Sequence, residues 1–266
     1  MNLSESQIQR YSRHLLLPEI GGSGQRRLMA GSVLIVGIGG LGSPAALYLA
    51  AAGVGVLGVM DSDAVELSNL QRQVIHSTED IGVPKVKSAA ARIRALNPEI
   101  RVKEHGYRLT AANAAEVVSE YDFVLDGTDN FESKFLVADA CHAAGTPYTH
   151  AGVLQFDGQL MTVKPGETAC YRCAFNAPPP EGTVPSCSQA GVLGVVAGVI
   201  GTLQATEALK FLLDQGALTT DRLLVYNALQ GTFRTVPLRK NPECPLCGTH
   251  PTVSNPPTQT SEENHG

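Results

Sequence analysis

Positive charge is in short supply. Lys and Arg number 20 against 25 Asp and Glu, a formal charge of -5, which removes any general electrostatic reason to bind nucleic acid. The N-terminus, Met1-Asn2-Leu3-Ser4-Glu5-Ser6, lacks the basic residues and following apolar run that a secretory signal needs, so a cytoplasmic location is expected. Nor is there an uninterrupted apolar run of the ~20 residues that a bilayer demands. The most apolar stretch, 190–213, is broken by Thr202, Gln204, Thr206, Glu207 and Lys210, and is expected to be a buried core helix with no membrane role. Cysteines number six, and in a reducing compartment metal binding or chemistry explains them better than disulfides. What remains, 43% hydrophobic and 17% charged residues with 27 glycines, suits a globular enzyme, and 266 residues suffice for one large α/β domain.

Ile8, Tyr11, Leu15 and Leu16 recur at helical spacing with Arg10, Arg13 and His14 between them, which predicts an amphipathic helix over 4–16, ended by Pro18 and Gly21-Gly22. A buried strand over 32–36, a glycine turn over 37–42, a helix over 43–52 and a strand over 54–60 closing on Asp61 follow as a βαβ unit. A polar connection then runs to Lys87. Helices over 88–96, 111–119 and 132–144 alternate with strands over 100–104, 123–126 and 148–151, the rhythm of a Rossmann-like, mainly parallel sheet. After residue 151 the texture changes. Residues 158–163 read as an antiparallel extension, 176–188 as a Pro-rich loop before the long helix, and 223–226 and 233–238 as closing strands. The last residues, 251–266, are polar and Pro-rich and are expected to be disordered.

Gly37-Ile38-Gly39-Gly40-Leu41-Gly42 joins a strand to a helix, where backbone amides and the helix N-terminus can approach phosphate. Gly39, Gly40 and Gly42 are therefore candidate nucleotide contacts, and Asp61 the candidate ribose ligand. The turn alone admits dinucleotides as well as ATP. Downstream, Ser68-Asn69-Leu70-Gln71-Arg72 and Lys85 supply polar groups and two cations able to neutralise a triphosphate. Thr128-Asp129-Asn130 follows a strand, where a carboxylate is suited to Mg2+. Each residue singly could be a solvated surface charge; their joint occurrence around one crevice is what points to nucleotidyl transfer.

Arg10-Tyr11-Ser12-Arg13, the glycine turn through Ser43-Pro44, Asp61 with Asp63, residues 68–72, Pro84-Lys85 and Thr128-Asp129-Asn130 together resemble the signature of the ThiF/MoeB/HesA family, over about residues 4–248. The resemblance implies that Gly40, Asp61, Asn69, Arg72, Lys85 and Asp129 hold ATP and magnesium. It also implies that Arg13 reaches the partner's site in a homodimer. The organisation it suggests is one adenylyltransferase unit over 1–250: a helical segment to 30, a nucleotide-binding half over 31–151, and a half over 152–250 for the carrier and zinc. The family often has Arg and Asn in the helix after Thr-Asp-Asn, where this chain has Lys134 and Ala138; lysine keeps the charge and loses the planar fork.

Cys170-Tyr171-Arg172-Cys173 and Cys244-Pro245-Leu246-Cys247 are two CxxC pairs, enough for one closed four-thiolate zinc site that pins the C-terminal segment to the middle of the chain. Cys187 lies in the Pro-rich loop and has two readings: a persulfide- or thioester-forming acceptor, or a simple loop cysteine. Cys141 reads as core.

The activity implied is ATP-dependent adenylation of the C-terminal Gly-Gly carboxylate of a small ubiquitin-like sulfur carrier. Pyrophosphate is released, and sulfur comes from a separate donor, a cysteine desulfurase or sulfurtransferase. Arg13, Arg72, Lys85, Asp129 and Cys187 are the residues expected to carry the chemistry, with neither nucleic acid nor membrane as partner. Motifs shared by thiamin, molybdopterin and tRNA-thiolation carriers do not choose among them. The rivals are an NAD-dependent oxidoreductase, which predicts hydride transfer without magnesium, and a nucleotide-binding scaffold, which predicts no pyrophosphate release. A family member acting on a tRNA threonylcarbamoyl-type carboxylate is a third, disfavoured by the charge and the paired CxxC motifs.

Overall fold

Two short helices, not one, open the chain. The computed structural model describes residues 3–180 and 190–253. Helix α1 (Glu5–Arg10), capped by Ser4, and α2 (Ser12–Leu15) part at Tyr11. Tyr11 is buried and its hydroxyl accepts from Asn97 at 2.9 Å, so a tertiary anchor overrides the continuous periodicity of 4–16. Gly21-Gly22 do not end a helix but begin one, α3 (Gly21–Ala30). Its glycines cost helix propensity. They permit close packing: a Cβ on Gly24 would lie 3.0 Å from Leu213.

Eight strands form one sheet in the order β3-β2-β1-β4-β5-β6-β7-β8. Strands β1 (Ser32–Val36), β2 (Val56–Met60), β3 (Arg101–His105), β4 (Phe123–Asp126) and β5 (Tyr148–Leu154) pair in parallel; β6 (Asp157–Val163), β7 (Arg222–Asn227) and β8 (Thr232–Pro237) continue antiparallel. The expected parallel sheet with an antiparallel extension is therefore what forms. Strand β5 runs three residues beyond the expected 148–151, because its outer half is bonded by β6 through Leu154↔Asp157.

Alternation sends β1 side chains to two cores. Val33 and Ile35 pack with Leu57, Phe123 and Leu125 beneath α4 (Gly42–Ala52), α5 (Lys85–Leu96) and the long helix α9 (Gly194–Leu213). Leu34 and Val36 pack with Val124, Tyr148 and Met161 beneath α6 (Ala114–Ser119) and α7 (Phe131–Ala144). A single turn, α8 (Tyr171–Ala174), adds Tyr171 to the second core. Among the described residues, α9 is the one helix long and apolar enough to cross a bilayer. Its polar residues are instead spent inside the fold. Gln204 donates to the carbonyls of Asp126 and Thr149 at 2.9 and 3.2 Å, while Glu207 accepts from the Thr162 hydroxyl and the Thr219 amide, both at 2.6 Å.

Candidate nucleotide cleft

The C-terminal ends of β1, β2 and β4 and the outer half of β5 border a cavity of about 660 Å3. Ligands in open α/β sheets sit at this edge. Gly37, at φ +90, begins the turn; a Cβ there would lie 2.8 Å from the Gly127 carbonyl, so the first and fourth strand ends touch through two glycines. Gly39 and Gly40 line the cavity. Gly42 does not: its Cβ would lie 2.0 Å from the Gly37 carbonyl, which makes it a packing glycine at the start of α4.

Asp61, at the end of β2, accepts the Ile38 amide on Oδ2 and the Asp63 amide on Oδ1, both at 2.9 Å. Lys85, the first residue of α5 and buried, lies 3.6 Å from Asp61 Oδ1 and 2.9 Å from Asp63 Oδ2. Lys87 is exposed. Arg72 lines the cavity and donates from Nη1 to the Ser68 carbonyl at 2.9 Å. Ser68, Asn69 and Gln71 support this segment without lining the cavity. The Asn69 side chain accepts the Glu66 amide at 3.1 Å, the Ser68 hydroxyl donates to Glu66, and Gln71 is exposed. Thr128, Asp129 and Asn130 all border the opening, with Asp129 exposed. Arg13 is exposed on α2, outside the cavity wall, and Cys187 lies outside the described residues.

Beneath the Asp129 loop sits a buried ionic cluster that sequence reasoning missed. Asp126 Oδ1 accepts the Thr128 amide and hydroxyl at 3.0 and 2.6 Å; Oδ2 faces His150 Nδ1 at 2.8 Å and Lys134 Nζ at 3.5 Å. Lys134 donates at 2.6 Å to each of two carbonyls, Thr128 and Ala151. Burial alone would raise the Asp126 pKa, but Lys134 and the hydrogen bonds from His150 and Thr128 outweigh it and hold the carboxyl at about 2. Burial, reinforced by Lys134, brings His150 down to about 4, so the imidazole is neutral and Nδ1 carries the proton donated to Asp126. The only sequence signal was Lys134 at a position where the family resemblance implied arginine. A second missed residue is His76, bonded to the Ile38 carbonyl and the Ser88 hydroxyl at 3.2 and 2.8 Å, a tie between the glycine turn and α5. Burial lowers its pKa. Gln73 and Arg108, also unforeseen, line the cavity too, as do Lys134, His150 and Tyr171.

None of the four paired cysteines lines the cavity, though Tyr171 between the first two does; the sulfurs of Cys170, Cys173, Cys244 and Cys247 all lie within 4.8 Å of one another. The closest pairs, at 3.3 to 3.5 Å, are near the roughly 3.8 Å edge of a tetrahedron with ~2.3 Å metal–sulfur bonds. Burial pushes the Cys170 thiol up and Cys247 up to about 12, so thiolates there call for a compensating cation. Donor set and spacing fit zinc. Cys141 is buried in the core.

A model described as the ThiF family matches residues 11–246. The SAMP-activating enzyme E1 of Haloferax volcanii is 50% identical over 248 residues, 93% of this chain and 92% of that protein. The sulfur carrier protein adenylyltransferase of Thermus thermophilus is 48% identical over 257 residues, 95% of each chain. Among solved structures, E. coli MccB with ATP has a TM-score of 0.78 at 25% identity, covering 90% of this chain and 74% of that one.

Proposed function

Because this chain belongs to the ThiF family, we propose that it adenylates the C-terminal Gly-Gly carboxylate of a small ubiquitin-like sulfur carrier. The observation that carries this reading is the gathering of Gly39, Gly40, Asp61, Arg72, Lys85 and Asp129 on one cavity wall. That set can bind ribose, screen phosphates and bring a second anion to them. The carrier carboxylate, already ionised at neutral pH, attacks the α-phosphate of ATP in line; an acyl-adenylate forms and pyrophosphate leaves. The chain has no strong base to supply. It orients two anions and offsets their repulsion with Arg72 and Lys85. Asp129, exposed and bordering the same cavity as those cations, would hold Mg2+, which supplies charge neutralisation on the phosphates.

In the same reading two copies associate and Arg13, exposed on α2, serves the neighbouring site. A separate donor delivers sulfur to the adenylate. Cys187 is a candidate acceptor. Zinc on the four clustered thiolates is structural, since a closed shell leaves no open position. A cytoplasmic setting, rich in ATP and reducing toward thiols, accords with all of these.

The test is ATP–pyrophosphate exchange with magnesium and Gly-Gly-terminated carriers, with tail-truncated carriers and Asp129→Ala as controls. Exchange that needs an intact tail and Asp129 is expected. Silence with every carrier would return the oxidoreductase and scaffold readings.

A further inference from the structure

Asp129 is exposed, yet nearly every polar group around it is held. The Thr128 amide and hydroxyl bond to Asp126 Oδ1, the Thr128 carbonyl bonds to Lys134, and Asn130 on the other side accepts the Ser133 amide at 2.8 Å. The Thr128 contacts thus return to Asp126 and Lys134. Asp126 can keep Oδ1 turned toward Thr128 only if Oδ2 is also held. Lys134 does not hold it closely: its two short bonds go to carbonyls, and it stands 3.5 Å from Oδ2. The short donor is His150 Nδ1, at 2.8 Å. His150 is itself fixed, with its ring 4.3 Å from that of Tyr171.

We propose that His150 is a positioning residue for Asp129. By donating from Nδ1 to Asp126 it fixes the carboxylate that anchors residues 127–130, and so sets the geometry in which Asp129 meets the divalent cation of a bound nucleotide. This rests on the magnesium reading of Asp129. Without the imidazole, Lys134 is the nearest remaining donor to Oδ2, and a move toward it stretches the bond to the Thr128 carbonyl. A guanidinium fork can serve a carboxylate and a carbonyl together; the single ammonium of Lys134 divides its short bonds, and His150 provides what the fork would have.

The test measures Mn2+ binding by electron paramagnetic resonance in the presence of a non-hydrolysable ATP analogue, for wild type, His150→Ala and His150→Asn. Calorimetry follows the analogue alone. The Ala variant is expected to weaken Mn2+ binding roughly ten-fold, the lower end of outer-shell effects, and by more than it changes metal-free nucleotide binding, since His150 also borders the cavity. The Asn variant, whose amide N–H overlays Nδ1, restores it. Should His150→Ala not fold, His150→Gln replaces it: the longer side chain fills the space but puts its amide where Nε2 was. Wild-type affinity in the Ala or Gln variant, or no rescue by Asn, overturns the role of His150. A wild-type protein that binds no Mn2+ with nucleotide overturns the magnesium reading as well.

Discussion

Asp61 Oδ2 accepts the Ile38 amide at 2.9 Å, so the carboxylate that closes β2 also fixes the glycine turn that follows β1. Asp61→Ala leaves that amide without its partner and takes from Lys85 one of two carboxylates. A loss of about 1–3 kcal/mol in stability is expected, with a raised Kd for ATP. Urea denaturation and calorimetric titration measure the two effects. An unchanged Kd would remove Asp61 from the ribose site.

The glycines of the turn separate into two kinds. A Cβ on Gly39 meets only Gln73 Nε2 at 3.7 Å, whereas one on Gly42 collides with the Gly37 carbonyl at 2.0 Å. Gly39→Ala should therefore fold normally and lose nucleotide affinity, because the methyl occupies the cavity wall. Gly42→Ala should lose on the order of 1–3 kcal/mol of stability or more through backbone displacement. Thermal melts with and without ATP distinguish them; equal melting temperatures would contradict the packing role of Gly42.

Acid should destabilise the protein in two windows. The folded chain withholds from His150, at about 4, a proton that the unfolded chain binds below 6.5. Stability therefore falls as pH drops from 6.5 toward 4, by up to ~1.4 kcal/mol per pH unit. Asp126 extends the loss, because its unfolded carboxyl protonates near 3.8 and the folded one near 2. His150→Asn should flatten the first window and leave the second. His76, His105 and His142, each lowered by burial, leave a residual slope. Denaturation midpoints taken across this pH range provide the measurement, and an undiminished slope in the variant would count against a neutral buried His150.

Cys244→Ser should abolish a stoichiometry of about one zinc per chain in elemental analysis and lower the melting temperature. None of the four clustered cysteines lines the cavity and only Tyr171, between Cys170 and Cys173, connects them to it, so nucleotide binding at low temperature should persist. Loss of ATP binding in folded, zinc-free protein would link the two sites.

Local chemistry made much of this molecule legible. Residues 33–36 and 123–125 are continuous apolar runs, the mark of burial on both faces, and the glycine turn announces itself by composition. Paired CxxC spacing gave the sulfur cluster. What stayed hidden depends on distance in space. Asp126, Lys134 and His150 sit on three different elements, and no spacing relates His150 to a carboxylate 24 residues earlier. Tyr11 interrupts its helix because of Asn97, 86 residues later. Asn69, expected at the nucleotide, accepts the Glu66 amide on its side-chain oxygen, a role its type permits and its neighbours decide.

The cysteine pairs that meet in the sulfur cluster are 74 residues apart. At ribosomal rates of roughly 5–20 residues per second, that interval lasts about 4–15 s. All of α9, β7 and β8 emerge within it. For that time Cys170 and Cys173 are a dithiol without its counterpart, open to oxidation. Under the zinc reading, the newborn chain is therefore more oxidant-sensitive than the mature protein, and a cell short of zinc would prolong that exposure.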